Sequence, residues 1–267
     1  MRKEKICISF LITHYNRPID LLQCIEAIQK IKILNYEIVV SDDFSGYENI
    51  KLLKSYPIDK LILGQSNLGL AANLNKGIKA CEGKFIIYCQ EDFILNNEIS
   101  TVLPECLALL NSQRADMIRL RANYEFKKLI RLTDTIFLIP KFSFQNFLLN
   151  PYQYSDHPFI TTRSFYEKFG YYLDNTSGDY GETEFAIRIF KSKVKVAIIP
   201  NKYVSSVIGS QSVIDREVKL NIKKLKINKS FIKLVRALRL YLEWILYDKS
   251  KRGLFTYKNK RKNKILN

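Results

Sequence analysis

The chain has 267 residues, 47% of them hydrophobic and 26% charged, which excludes a mostly disordered polypeptide and suffices for one domain with an appendage. Its formal net charge of +17 is unevenly placed: residues 216–267 hold seventeen Lys and Arg against three acidic residues, whereas residues 1–215 hold 26 against 23. A nearly neutral body with a cationic tail points to a polyanionic surface as the tail's partner, and no apolar window reaches the roughly 18 residues of a membrane span.

Residues 6–12 form a short apolar run that ends in polar Thr13-His14-Tyr15-Asn16. Pro18 then opens a segment with Leu21, Leu22, Ile25, Ile28 and Ile31 at helical spacing, so the sequence predicts a buried strand feeding a helix. The cycle repeats with a strand over 36–41, a loop from Asp42 to Gly46, a helix near 47–55, a strand over 60–63, a helix near 68–80 and a strand over 84–90. Such alternation predicts a mostly parallel sheet with helices on both faces and a ligand crevice beyond the carboxyl ends of its strands. Beyond a helix near 97–111 the pattern loosens. Strand-like stretches lie near 116–120 and 128–139, an aromatic segment follows from Phe142 to Tyr154, and a helix near 182–191 and a strand over 194–199 close the body.

Cysteines at 7, 24, 81, 89 and 106 are odd in number and form no C-x-x-C pair, which suits a reducing cytosol. The apolar stretch before His14 is too short for a signal peptide.

Four polar elements follow the predicted strands: Thr13-His14-Tyr15-Asn16-Arg17-Pro18, Ser41-Asp42-Asp43-Phe44-Ser45, Asn67-Leu68-Gly69 with Asn75-Lys76-Gly77, and Gln90-Glu91-Asp92-Phe93. Singly each has an ordinary reading; Asp43 and Ser45 suit an Asx-type turn, and Tyr15 suits a core aromatic. In this order and spacing, over about residues 5–210, they resemble the family 2 glycosyltransferases, whose pattern runs T-x-Y-N-R, D-D-x-S, N-x-G-x-x-x-x-x-N-x-G and D-x-D. The resemblance implies an α/β fold of the GT-A type, a Rossmann-like mixed sheet flanked by helices, and a nucleotide-sugar donor.

On that resemblance Thr13 and Tyr15 line the base pocket, Asp42 accepts a hydrogen bond from a base N–H of a uracil-type ring, and Arg17 approaches the phosphates. Asn67 and Gly69 belong to the donor-binding set, and Glu91 serves the ribose. Asp92 is the implied ligand of a Mg²⁺ or Mn²⁺ that bridges the diphosphate and acts as a Lewis acid on the leaving group. The chain departs from the family in having Gln90 for the first acid of D-x-D, Leu74 for an Arg, and Val207-Ile208-Gly209 where a His-Ile-Gly stretch is frequent.

Inverting transfer needs a base for the acceptor hydroxyl. The family places it before a late E-D-x-[DE]-[LF]-x-x-R helix, and aligning on Arg188 puts Glu182 at that position, with Asp179 in reserve. Two alternatives come from the residues themselves. Asp179-Tyr180-Gly181-Glu182 has capping-box spacing, which would make Glu182 structural, and Glu184 has the i, i+4 spacing of an ion pair with Arg188.

The organisation expected is a glycosyltransferase domain over 1–215, with a nucleotide-sugar-binding half at 1–95 and an acceptor-binding half at 96–215, followed by a basic amphipathic helical tail at 216–267. The expected partners are a glycan or lipid-linked glycan acceptor of bacterial surface polysaccharide synthesis and, through the tail, an anionic membrane surface at the cytoplasmic face; no nucleic acid is expected. The competing class is a non-catalytic module that keeps the donor fold and binds membrane or nucleic acid through its tail.

Overall fold

The computed structural model describes residues 7–121, 124–174, 178–199, 203–207 and 229–247. The expected domain boundary at 215/216, Ile208-Gly209, and the lysines of 219–226 and 258–264 lie outside the described residues.

The first half alternates as its apolar runs dictate: β1 (Ile8–His14), α1 (Pro18–Gln29), β2 (Tyr36–Asp42), α2 (Tyr47–Leu53), β3 (Lys60–Leu63), α3 (Leu70–Ala80) and β4 (Phe85–Gln90). The second half contains β5 (Phe93–Leu95), α4 (Ile99–Asn111), β6 (Met117–Arg119), β7 (Ile130–Arg131), β8 (Phe137–Leu138), two 3-10 turns (Phe144–Asn146 and Asn150–Tyr152) and β9 (Phe159–Thr162). It continues with α5 (Arg163–Phe169), α6 (Gly178–Lys191), β10 (Val196–Ile198) and β11 (Val204–Ser206), and the described chain closes with α7 (Lys229–Leu246).

Nine strands form one sheet in the order β3-β2-β1-β4-β9-β6-β10-β8-β7. β3, β2, β1 and β4 are mutually parallel, and β9 runs antiparallel between β4 and β6. The sheet is therefore mixed, and it joins the two expected halves of the body. A separate pair, β5 and β11, brings residues 204–206 back antiparallel to the segment that follows the Glu91-Asp92 acids.

Side-chain alternation along the central strands feeds two cores. Phe10 and Ile12 of β1 pack with α1 and α4 on one face, whereas Leu11, Val39 and Tyr88 pack with α3, α5 and α6 on the other. Both faces are covered, as an apolar parallel strand requires.

Most differences from the predicted elements lie in the second half. The 128–139 stretch is two short strands, β7 and β8, paired as a hairpin. β9 and α5 were not anticipated, because four residues after Pro158 carry too little periodicity to signal a central strand. The aromatic segment, for which core packing is the default, is split: Tyr154 is buried in the second core, whereas Phe142, Phe144 and Phe147 are exposed.

The loop that enters α3 depends on Gly69, whose φ of 83° and ψ of 171° fall in a region essentially restricted to glycine. Replacement by alanine, Gly69→Ala, is expected to cost about 1–3 kcal/mol. An unchanged urea midpoint would show that α3 starts without this conformation.

Candidate active site

Parallel pairing places the ends of three strands side by side: Thr13 is opposite both Ser41 and Gln90, and His14 is opposite Asp42. The polar residues after β1, β2 and β4 therefore share one edge of the sheet, the position at which open α/β sheets bind ligands.

His14 and Asp42 form the buried centre of this edge. His14 Nδ1 lies 2.7 Å from Asp42 Oδ2, and His14 Nε2 accepts from Arg17 N–H at 3.0 Å, which assigns the proton to Nδ1. Asp42 also accepts from Ser45 Oγ at 2.5 Å and Ser45 N–H at 2.9 Å. Burial opposes the Asp42 charge, but the bonds from His14 and Ser45 outweigh it and hold the carboxyl below its usual range. The side chain is fully buried and its oxygens accept from His14 and Ser45, so it holds the 42–45 loop in shape.

Neighbouring Asp43 accepts from Leu68 N–H at 2.9 Å and Gly69 N–H at 2.8 Å, tying the second motif to the third. Gly69 thus contributes backbone shape, and Asn67 is exposed on the same loop. The rest of the third motif is structural. Lys76 Nζ donates to Asp42 O at 2.6 Å, and Asn75 bonds the backbone of Tyr172 in both directions. Leu74, at the position of the family's Arg, is fully buried.

Thr13 is buried with its hydroxyl 3.2 Å from Tyr88 OH, whereas Tyr15 is 37% exposed and offers a ring at the rim. Arg17 reaches across to the acids: Nη1 lies 3.2 Å from Asp92 Oδ2 and Nε lies 3.9 Å from Glu91 Oε1. Burial pushes the Glu91 carboxyl up to about 8, so it holds a proton at neutral pH. Val207 N–H donates to Asp92 O at 2.9 Å, so the late segment returns directly behind the acid.

Among the described residues no three His, Cys, Asp or Glu side chains could hold a metal ion. The single carboxylate of Asp92 fits a Mg²⁺ or Mn²⁺ whose remaining ligands would be phosphate oxygens and water. It does not fit a cation held by protein alone.

Glu182 stands across from these acids. Gln90 Nε2 donates to Asp156 O at 3.2 Å, and Asp156 N–H donates to Glu182 Oε1 at 3.0 Å, so the backbone of one residue, Asp156, links the end of β4 to the candidate base. α6 begins at Gly178, and the Glu182 carboxylate accepts from Asp156 N–H. Glu184 behaves as its spacing predicts: it is buried, with Oε1 3.1 Å from Arg188 Nε.

Two residues here were not found in the sequence. Asp156 accepts from Tyr154 OH at 2.5 Å, and burial followed by the Glu182 charge pushes its carboxyl well above the usual range. Arg119, fully buried at the end of β6, donates to Tyr152 O at 3.0 Å and Ser155 Oγ at 2.7 Å, fixing the loop that presents Asp156. Burial lowers its guanidinium to about 10 against the pull of Glu182. A charged residue inside the apolar run 116–120 was the available signal for Arg119; Asp156 had none.

A groove of about 560 Å³ opens at the opposite edge of the sheet, where Lys84, Lys168 and Lys193 line it. It lies at the amino-terminal ends of β4, β6 and β10, away from the crevice expected of this architecture.

The family described as Glycosyl transferase family 2 matches residues 9–169. A Bacillus subtilis (strain 168) protein named as a glycosyltransferase, EpsH, is 30% identical over 92 residues, which is 33% of this chain and 27% of that protein. Among solved structures, S. aureus TarS aligns with a TM-score of 0.59 at 16% identity, covering 92% of this chain and 44% of TarS. TarS 1–349 in complex with UDP gives a TM-score of 0.59 at 16% identity, over 92% of this chain and 68% of that one. The chain thus spans about a quarter of EpsH and less than half of the TarS chain in these alignments, and the TarS likeness shows the fold alone.

The Asp156–Glu182 pair gives a pH test. A carboxyl whose folded value is raised takes up a proton on folding, so its contribution falls as pH rises from the ordinary aspartate range through the folded value. Asp156→Asn is expected to flatten the loss of melting temperature from pH 5 to 8 relative to wild type. Identical slopes would show that Asp156 ionises normally.

Proposed function

From the premise that the chain belongs to glycosyl transferase family 2, we propose that it moves a sugar from a nucleotide-sugar donor to a hydroxyl of a glycan or lipid-linked glycan, with inversion at the anomeric carbon. The observation that carries this reading is the grouping of Arg17, Glu91 and Asp92 at the strand ends, with Glu182 joined to the end of β4 through the backbone of Asp156. A UDP-sugar is the favoured donor, supported by the TarS 1–349 structures with UDP and UDP-GlcNAc that share this fold. The setting that suits such a reaction is bacterial surface polysaccharide synthesis at the cytoplasmic face of the cell membrane. Residues 1–95 serve the donor and residues 96–215 the acceptor.

Tyr15 stacks on the base at the rim, and Thr13 closes the floor beside it. Asp42 acts through the 42–45 loop that its buried bonds hold in shape. The protonated Glu91 carboxyl suits a ribose hydroxyl, since a neutral acid can both donate and accept. Arg17 offers a fork of donors to the diphosphate. Asp92 would hold Mg²⁺ or Mn²⁺, which when bound supplies Lewis-acid stabilisation of the departing nucleoside diphosphate.

In the transfer, Glu182 accepts the proton of the acceptor hydroxyl while that oxygen attacks the anomeric carbon. The bond from that carbon to the phosphate oxygen breaks, and its electron pair leaves with the nucleoside diphosphate. Arg17 counters the charge that develops there.

Glu182→Gln is expected to keep the fold and donor affinity but lower turnover by roughly 10² or more. A lowered melting temperature with turnover intact would make Glu182 structural. Asp92→Ala is expected to abolish Mn²⁺-dependent donor affinity in calorimetry, and unchanged affinity would reject the metal assignment. Donor binding without turnover in the wild-type protein, across a panel of sugar nucleotides and glycan acceptors, would favour a non-catalytic module.

A further inference from the structure

Helix α7 packs on the body with the side that is poorer in aliphatic residues. Ala237 is fully buried, Tyr241 OH donates to Phe147 O at 2.7 Å, the Trp244 ring lies 5.4 Å from that of Phe190, and Tyr247 OH donates to Glu184 Oε1 at 2.7 Å. Leu234, Val235, Leu238, Leu242, Ile245 and Leu246 all face outward, and Ile245 is 64% exposed. At 100° per residue these six span an arc of about 120° on one side of the helix. An amphipathic helix ordinarily turns such a stripe inward, so this outward stripe requires a partner.

The exposed face extends beyond the helix. The Phe147 ring stacks on Tyr241 at 5.0 Å, which sets the 142–148 segment against α7, and in that segment Phe142 and Phe144 are exposed, Phe144 to 86%. Arg239 is exposed about 20° beyond one edge of the stripe, Lys233 and Arg236 are exposed toward the opposite side of the helix, and α7 belongs to a stretch of sequence, residues 216–267, that holds seventeen Lys and Arg against three acids.

We propose that this face, the outer stripe of α7 with Phe142 and Phe144, seats the protein on an anionic lipid bilayer. Aliphatic and aromatic side chains enter the headgroup boundary while the net positive charge of residues 216–267 favours acidic headgroups. Charge decides between the possible occupants. A second copy would bring two cationic tails together, which costs rather than gains. A nucleic acid would meet the cations but leave the aliphatic stripe in water. Among the described residues no helix is long and apolar enough to cross a membrane, and a seated amphipathic helix needs no such length.

The seat bears on the reaction because α7 is tied to α6, the helix that carries Glu182. Tyr247 holds Glu184, two residues beyond the candidate base, and Lys191 at the end of α6 donates to Trp244 O at 3.1 Å. A lipid-linked acceptor would then be presented beside the base instead of diffusing to it. That consequence rests on the transfer reading above, whereas seating itself is measured without turnover.

The test is co-sedimentation of the full-length protein with vesicles of phosphatidylcholine alone and of phosphatidylcholine with phosphatidylglycerol. Wild type is expected to sediment with the mixed vesicles only. Leu238→Glu with Ile245→Glu, both exposed, is expected to lower that binding by about tenfold or more while the melting temperature is kept. Phe144→Ser provides an independent variant away from the helix and is expected to weaken binding in the same direction. Failure of wild type to bind mixed vesicles overturns the proposal. So does equal binding by the double variant, which would leave charge alone as the cause. A wild-type dimer that the double variant dissociates would assign the stripe to a second copy. Loss of turnover with vesicle binding intact would count against the transfer reading and not against the seat.

Discussion

The buried bond between His14 and Asp42 fixes the geometry on which the candidate site depends. It joins the last residues of two adjacent parallel strands, at a level where the main-chain ladder ends and the loops diverge. Asp42 fixes Ser45 and His14 accepts from the Arg17 N–H, so one network sets the exit of both loops. Asp43 then positions the entry to α3, and Arg17 lies across the acids that follow β4. A buried carboxylate is costly unless its lone pairs are met, and here they are met by groups from two strand ends. The cost of burying charge is thus offset by making the loop geometry unique.

The second constraint is electrostatic. Glu91 and Asp92 are adjacent in sequence and cannot both be buried as anions without compensation. Glu91 resolves this by holding its proton, and Arg17 supplies a counter-charge to Asp92. The same pressure acts across the crevice, where burial and then the Glu182 charge push the Asp156 carboxyl well above its usual range.

The first half of the fold was legible in the sequence because each strand is a mostly apolar run and three of the four end in a polar cluster. β3 over 60–63 is placed to the residue, and the starts or ends of its neighbours shift by one or two. What was not legible is what depends on distant pairing. β9 is a central strand of four residues, and its place between β4 and β6 comes from neighbours more than forty residues away. Of the site residues, Arg17, Glu91 and Asp92 share one edge as their positions after β1 and β4 imply. Asp42 and Gly69, expected in the donor-binding set, also shape the loops around it, a role that a single sequence does not separate from contact with a ligand. His14 was given no role in the sequence reading, yet it sits opposite Asp42 in the register of β1 and β2.

The central claim is that the edge formed by the ends of β1, β2 and β4 is the donor site. Amide hydrogen exchange measured with and without UDP tests it most directly. The account predicts slowed exchange within residues 13–17, 42–45, 67–69 and 90–92, with little change at Lys84, Lys168 or Lys193. Protection confined to that lysine-lined groove at the opposite edge, or absent at saturating UDP, would contradict it.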